Sequence, residues 1–130
     1  MQQKTLNLPT IAEQGLTLAP VDADEARVRF SGAGDTEGVA VLERFLALLH
    51  DEVVARGLKQ IVVDLEQLTF INSSCLKALV SWIYKVDTGG RPYTIVLLRN
   101  PRMHWQKSSL STLQRLAPQV VSIQDGALRS

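Results

Sequence analysis

One cysteine, almost no net charge and no long apolar run mark this 130-residue sequence. With Cys75 alone, no intramolecular disulfide can form, and the composition suits a reducing compartment. Fourteen Lys and Arg against thirteen Asp and Glu leave a charge of +1, which offers no broad basic surface to nucleic acid or to an anionic membrane. No apolar run approaches the roughly 20 residues needed to cross a bilayer. The opening MQQKTLNLPTIAEQGL has no continuous apolar segment of the signal-peptide kind. The expectation is a cytoplasmic protein with no direct membrane insertion, compatible with a place in a membrane-bound complex. Neither GxxxxGK[ST] nor GxGxxG occurs; Gly32 and Gly34 make only a G-x-G, which an ordinary turn explains better. Cys75, His50 and His104 have no metal-ligand spacing, so neither metal nor cofactor is expected.

What is present suits one globular domain spanning 1–130. Hydrophobic residues make up 45% and charged residues 21%, enough to bury a core. LTLAP, from Leu16, reads as a weak strand. Ala26-Arg27-Val28-Arg29-Phe30 alternates with the period of a half-buried strand, and SGAGD then turns the chain. From Thr36, Val39, Leu42, Phe45, Leu46, Leu49 and Val53 follow helical spacing, with Asp35 or Thr36 as cap and Gly57 as stop. QIVVDL, Gln60 to Leu65, reads as a strand buried on both faces. Leu76, Leu79, Val80, Ile83 and Val86 mark a second helix, and TGGRP breaks it. Tyr93 to Leu98 is a further strand, about Met103 to Leu116 a third helix, and Val120 to Ile123 a last strand before a frayed tail or short helix. Five strands and three helices in this order predict an α/β fold: a mixed, mostly parallel sheet, helices mainly on one face, and an antiparallel hairpin at the start.

The polar residues Asn72-Ser73-Ser74 lie where the third strand leads into the second helix. Any of the three can cap that helix. A cap alone explains them. The strand-end position and the unpaired N–H groups of a helix start also suit a displayed hydroxyl and a phosphate on it. Cys75 follows directly; a helix N-terminus can activate a thiol, but no histidine sits in a nucleophile motif, and a packing role is the stronger reading. His50, late in the first helix, suits the negative end of its dipole. Arg91, Arg99, Arg102, His104 and Lys107 form either a solvated surface or an anion-binding patch, with the former favoured. Trp82 and Trp105 suit interface anchors, and Trp82 suits the core edge equally well.

The stretch IVVDLEQLTFINSSCLKALVSWI resembles the STAS family, the domain of bacterial anti-sigma factor antagonists and of sulfate-transporter tails. Asp64, Leu65, Phe70, Ser73, Ser74, Leu76 and Leu79 match its pattern hhhDLxxhxFhDSSGLxxLh, where h is apolar. SGAGD and NPRMHWQKSSL are similar to flanking segments. Asn72 and Cys75 stand where the family usually has Asp and Gly. The resemblance implies a STAS-like single domain and a non-enzymatic partner switch. The unmodified form would bind a serine kinase or anti-sigma-type regulator; phosphorylation of the first serine, here Ser73, would abolish binding, and a phosphatase would restore it. Ser74 would then be the helix cap. Asn72, Ser73, Ser74 and Cys75 form the implied partner loop, in which the Cys75 side chain is expected to add bulk toward the partner. The alternatives are a constitutive adaptor without phosphorylation and a small-ligand or nucleotide-binding domain.

Overall fold

The computed structural model describes residues 5–126. Six strands and three α-helices run in the order β1 (Ile11–Glu13), β2 (Leu16–Val21), β3 (Arg27–Gly34), α1 (Val39–Ala55), β4 (Gln60–Ile71), α2 (Ser73–Thr88), β5 (Thr94–Arg99), α3 (His104–Leu116) and β6 (Val121–Asp125). A 3-10 turn, Thr36–Gly38, leads into α1. The strands lie side by side in chain order. β1, β2 and β3 pair antiparallel, and β3 to β6 pair parallel. Right-handed crossovers advancing in one direction place every helix on the same face of the sheet. The core agrees: Leu18, Val28, Phe30, Ile61, Val63, Leu65, Ile95, Leu97 and Val121 meet Phe45, Leu49, Val53, Leu79, Ile83, Leu110 and Leu113 of the helices in one cluster. Residues pointing the other way, Val62, Val96 and Leu98, form a separate small cluster. The fold is the mixed, mostly parallel α/β sheet expected from the pattern, with one strand more.

Three local expectations are corrected. β1 was not expected. It pairs with β2 through a two-residue turn, Gln14-Gly15, in which both residues have positive φ. That is the geometry of a tight hairpin turn matched to strand twist, and Gln-Gly signals it less strongly than Asn-Gly. SGAG does not turn the chain. It continues β3 to Gly34, and only Asp35 begins the turn, its Oδ1 accepting from Glu37 N–H at 3.0 Å. The β4 strand is twice the expected length because it continues to Ile71 against β3 after leaving β5 at Asp64. Its register slips twice, between Arg29 and Ser31 and between Gly32 and Ala33 of β3, each time inserting an extra β4 residue. Alternating polarity fails through such bulges, which hid this half of the strand. At the far end β6 runs to Asp125; the tail beyond Gly126 lies outside the described residues.

Two side chains hold the bulged half of β4. Asp64, 2% exposed, accepts from the Glu66 N–H at 3.0 Å and from the Arg29 guanidinium at 3.2 Å. The motif carboxylate therefore has a structural duty. Gln106, fully buried on α3, fills the gap left where β5 departs. Its Nε2 donates to the Leu65 carbonyl (2.7 Å) and the Leu68 carbonyl (3.1 Å), and its Oε1 accepts from Asn100 N–H (2.7 Å).

Candidate functional site

The parallel strands β3 and β4 end together, and the chain leaves each into a helix. Asp35, Thr36 and Glu37 follow β3; Asn72, Ser73 and Ser74 follow β4. Asn72 N–H donates to the Gly34 carbonyl at 2.9 Å, which extends the ladder to the last residue before α2. There the backbone is extended (φ −82°, ψ 176°), and Asn72 Oδ1 accepts from the Cys75 N–H at 2.9 Å. Asn72 is thus the N-cap. The expected cap at Ser74 is corrected: Ser73 and Ser74 are already inside the helix. The other end of the Asn72 amide donates from Nδ2 to Thr36 Oγ1 at 3.1 Å and ties the two connections together.

This division of labour decides what Ser73 can do. As first residue of α2 it is exposed, and its hydroxyl makes no hydrogen bond among the described residues. Exposed Thr36, Glu37, Thr69 and Lys77 belong to the same and adjoining segments, and Phe70, at 50% exposure, adds an apolar contact. The expected stability effects follow. Asn72→Ala removes the cap and the tie to Thr36 and should cost about 1–2 kcal/mol. Ser73→Ala removes no bond and should stay within about 0.5 kcal/mol of the parent. Urea unfolding of both variants measures this; equal losses would return the capping role to Ser73.

Cys75 turns inward. It is fully buried, and its Sγ–H donates to the Asp35 carbonyl at 3.3 Å. Two glycines make the room: a Cβ on Gly34 would lie 3.1 Å from this sulfur, and one on Gly38 3.9 Å. The expectation of added bulk toward a partner is therefore corrected, because the side chain packs beneath the loop. Burial, reinforced by Asp35, raises its pKa and holds the thiol form. That is the opposite of an activated nucleophile.

The remaining candidates separate. Trp82 is buried and donates its Nε1–H to Tyr93 Oη at 3.0 Å, so it is a core residue. His50 Nδ1 lies 2.7 Å from the same oxygen, and desolvation followed by the nearby Lys85 lowers its pKa. Both effects work against the charge that its position late in α1 suggests for the helix dipole. Trp105 is partly buried, and its Nε1–H has no hydrogen-bond partner among the described residues. In the basic patch, Arg91 pairs with Asp87 and Arg99 with Asp125; Arg102, His104 and Lys107 stay exposed. Among the described residues no His, Cys, Asp and Glu gather as metal ligands, and no helix is long and apolar enough to cross a membrane.

No family model and no curated protein matches the sequence. Solved structures do match in fold. The anti-sigma factor antagonist SpoIIAA, in its unphosphorylated form, is 15% identical and aligns over 85% of this chain and 88% of its own, with a TM-score of 0.52. TM1081 of Thermotoga maritima is 18% identical over 96% of this chain and 90% of that one, at 0.55. SiaC of Pseudomonas aeruginosa is 19% identical over 95% and 99%, at 0.50, and is also known in complex with the diguanylate cyclase SiaD, whose activator it is. At these identities the likeness concerns architecture, and in architecture this chain has the STAS fold of the anti-sigma factor antagonists.

Proposed function

We propose that the chain is a non-enzymatic partner-switching regulator that binds a protein through the strand-end surface at the start of α2. Ser73 is its phosphorylation site. One observation carries this reading: capping falls to Asn72, so the Ser73 hydroxyl stands exposed at a helix N-terminus with no hydrogen bond to any described residue. The unpaired N–H groups there favour an anion. Lys77, one turn further and exposed, is placed to face a phosphate on Ser73. The modification can therefore be carried without unfolding α2. Its effect falls on the partner: roughly −2 charge arrives beside Asp35 and Glu37, on a surface that binding must desolvate. The implied partner is a serine kinase or anti-sigma-type regulator, with a phosphatase to reset the switch, acting in the cytoplasm. The folds of SpoIIAA, an anti-sigma factor antagonist, and of SiaC, an activator that binds a diguanylate cyclase, support a protein partner.

Affinity capture from the native cell, with the parent and Ser73→Asp as baits, tests this reading. A partner held by the parent should be lost or weakened at least about tenfold by the added charge. A partner retained equally by both would favour a constitutive adaptor and remove the switch.

A further inference from the structure

A groove of about 160 Å³ runs along the seam of α1 and α2, away from the strand-end surface. It is lined by Glu43, Leu46, Ala47 and His50 from α1, and by Ala78, Ser81, Trp82 and Lys85 from α2. Each set has the spacing i, i+3, i+4, i+7, one face of a helix over two turns. The groove exists because Ala47, Ala78 and Ser81 are too small to fill the seam, while Leu46 and Trp82 give it apolar walls.

Hydrogen-bond direction fixes what one end offers. An indole N–H can only donate, so Trp82 gives its hydrogen to Tyr93 Oη. Tyr93 is 2% exposed, and the partner for its own hydrogen is His50 Nδ1 at 2.7 Å. The imidazole is thereby held as an acceptor at Nδ1, which leaves the proton on Nε2. No described residue takes that proton. Lys85 is close enough to act on the imidazole and makes no ion pair with a described residue. Asp51 also acts on the ring and pulls in the opposite direction, more weakly than desolvation and Lys85. Ser81 adds a hydroxyl. The far end, two turns or about 10 Å away, carries Glu43.

We propose that this groove binds a small apolar monocarboxylate about the size of a benzene ring with one acid group. The carboxylate is received by Lys85, His50 Nε2–H and Ser81, and the ring lies between Leu46, Ala78 and Trp82. A cavity of roughly 150 Å³ accommodates benzene, which sets the size. Glu43 sets the selectivity, because a second carboxylate at the far end of the ligand would meet a like charge.

The test is a two-dimensional NMR titration of the full chain with benzoate, benzyl alcohol and terephthalate. Benzoate is expected to shift amides of α1 and α2 around the groove and to saturate by roughly 10 mM, as an open site of this size allows. Benzyl alcohol and terephthalate should bind at least about tenfold more weakly. Lys85→Met should weaken benzoate by a similar factor. Ser81→Leu, at an exposed position where the fold should tolerate it, should fill the groove and abolish the shifts. No saturable shift with benzoate, equal binding of benzyl alcohol, or parent-like binding by Lys85→Met and Ser81→Leu would each overturn the proposal. Ser73 takes no part in any of these outcomes.

Discussion

Replacing Gln106 with leucine should lower stability by about 3–5 kcal/mol, the largest loss expected from a single side chain outside the apolar core. Leucine fits the space but makes none of the hydrogen bonds. The buried Leu65 and Leu68 carbonyls would lose their Nε2 donor, and the part-buried Asn100 N–H its acceptor. An unsatisfied buried group costs about 1–3 kcal/mol, so two or three together take a large part of an ordinary domain's stability. Urea unfolding should show a lower midpoint with an unchanged slope. Gln106→Glu keeps the size and the acceptor but loses the donor, so it should also destabilise. A loss under about 1 kcal/mol for Gln106→Leu would mean that the bulged half of β4 does not depend on α3.

Gly32→Ala is the second large effect, expected at about 2–4 kcal/mol. Gly32 has φ +93°, which side-chain-bearing residues avoid, and an added Cβ would overlap the Gly15 carbonyl oxygen in the neighbouring turn. That carbonyl also accepts from Ala33 N–H at 3.0 Å, so it cannot retreat without breaking a bond. The strain lies two residues from Gly34, which packs against Cys75 and receives the Asn72 N–H. Gly32→Ala should therefore disturb the amide signals of residues 72–75 as well as lower the melting temperature. Gly57, with φ +64° but open space around its Cβ position, provides the control: Gly57→Ala should cost only about 1 kcal/mol, since no contact is made.

The contrast between these residues shows what can be read from a sequence. Regular elements announce themselves by period. The β-branched run Ile61 to Val63 and the helical spacing from Val39 to Val53 each appear where the pattern places them. So does the start of α2 after Asn72, where the polar residues follow the strand. What stayed hidden depends on non-local partners. The second half of β4 breaks the two-residue period through its bulges, and Gln106 looks like any polar helix residue until its carbonyl partners are known. The division between Asn72 as cap and Ser73 as free hydroxyl is likewise geometric, because all three residues cap helices well. For Cys75, the sulfur's direction depends on Gly34 and Gly38, which reach it from β3 and the turn before α1. Two glycines facing one cysteine across a predicted turn would have been the available signal.

The departures from the family pattern also take on physical meaning. An aspartate at position 72 could still cap α2, but its side chain could only accept from the Thr36 hydroxyl rather than donate to it, and it would add a charge near Asp35. The asparagine keeps the two connections tied while leaving the anion-favouring helix start uncompensated. The cysteine fills space beneath the loop and leaves the surface around Ser73 open to a partner.

Phosphorylation of Ser73 as a reversible charge switch is tested by intact-mass measurement after incubation with the cognate kinase and ATP. The parent protein should gain a single phosphate, Ser73→Ala none, and Ser74→Ala one. No added phosphate on the parent, or a phosphate that persists on Ser73→Ala, would remove Ser73 as the switch.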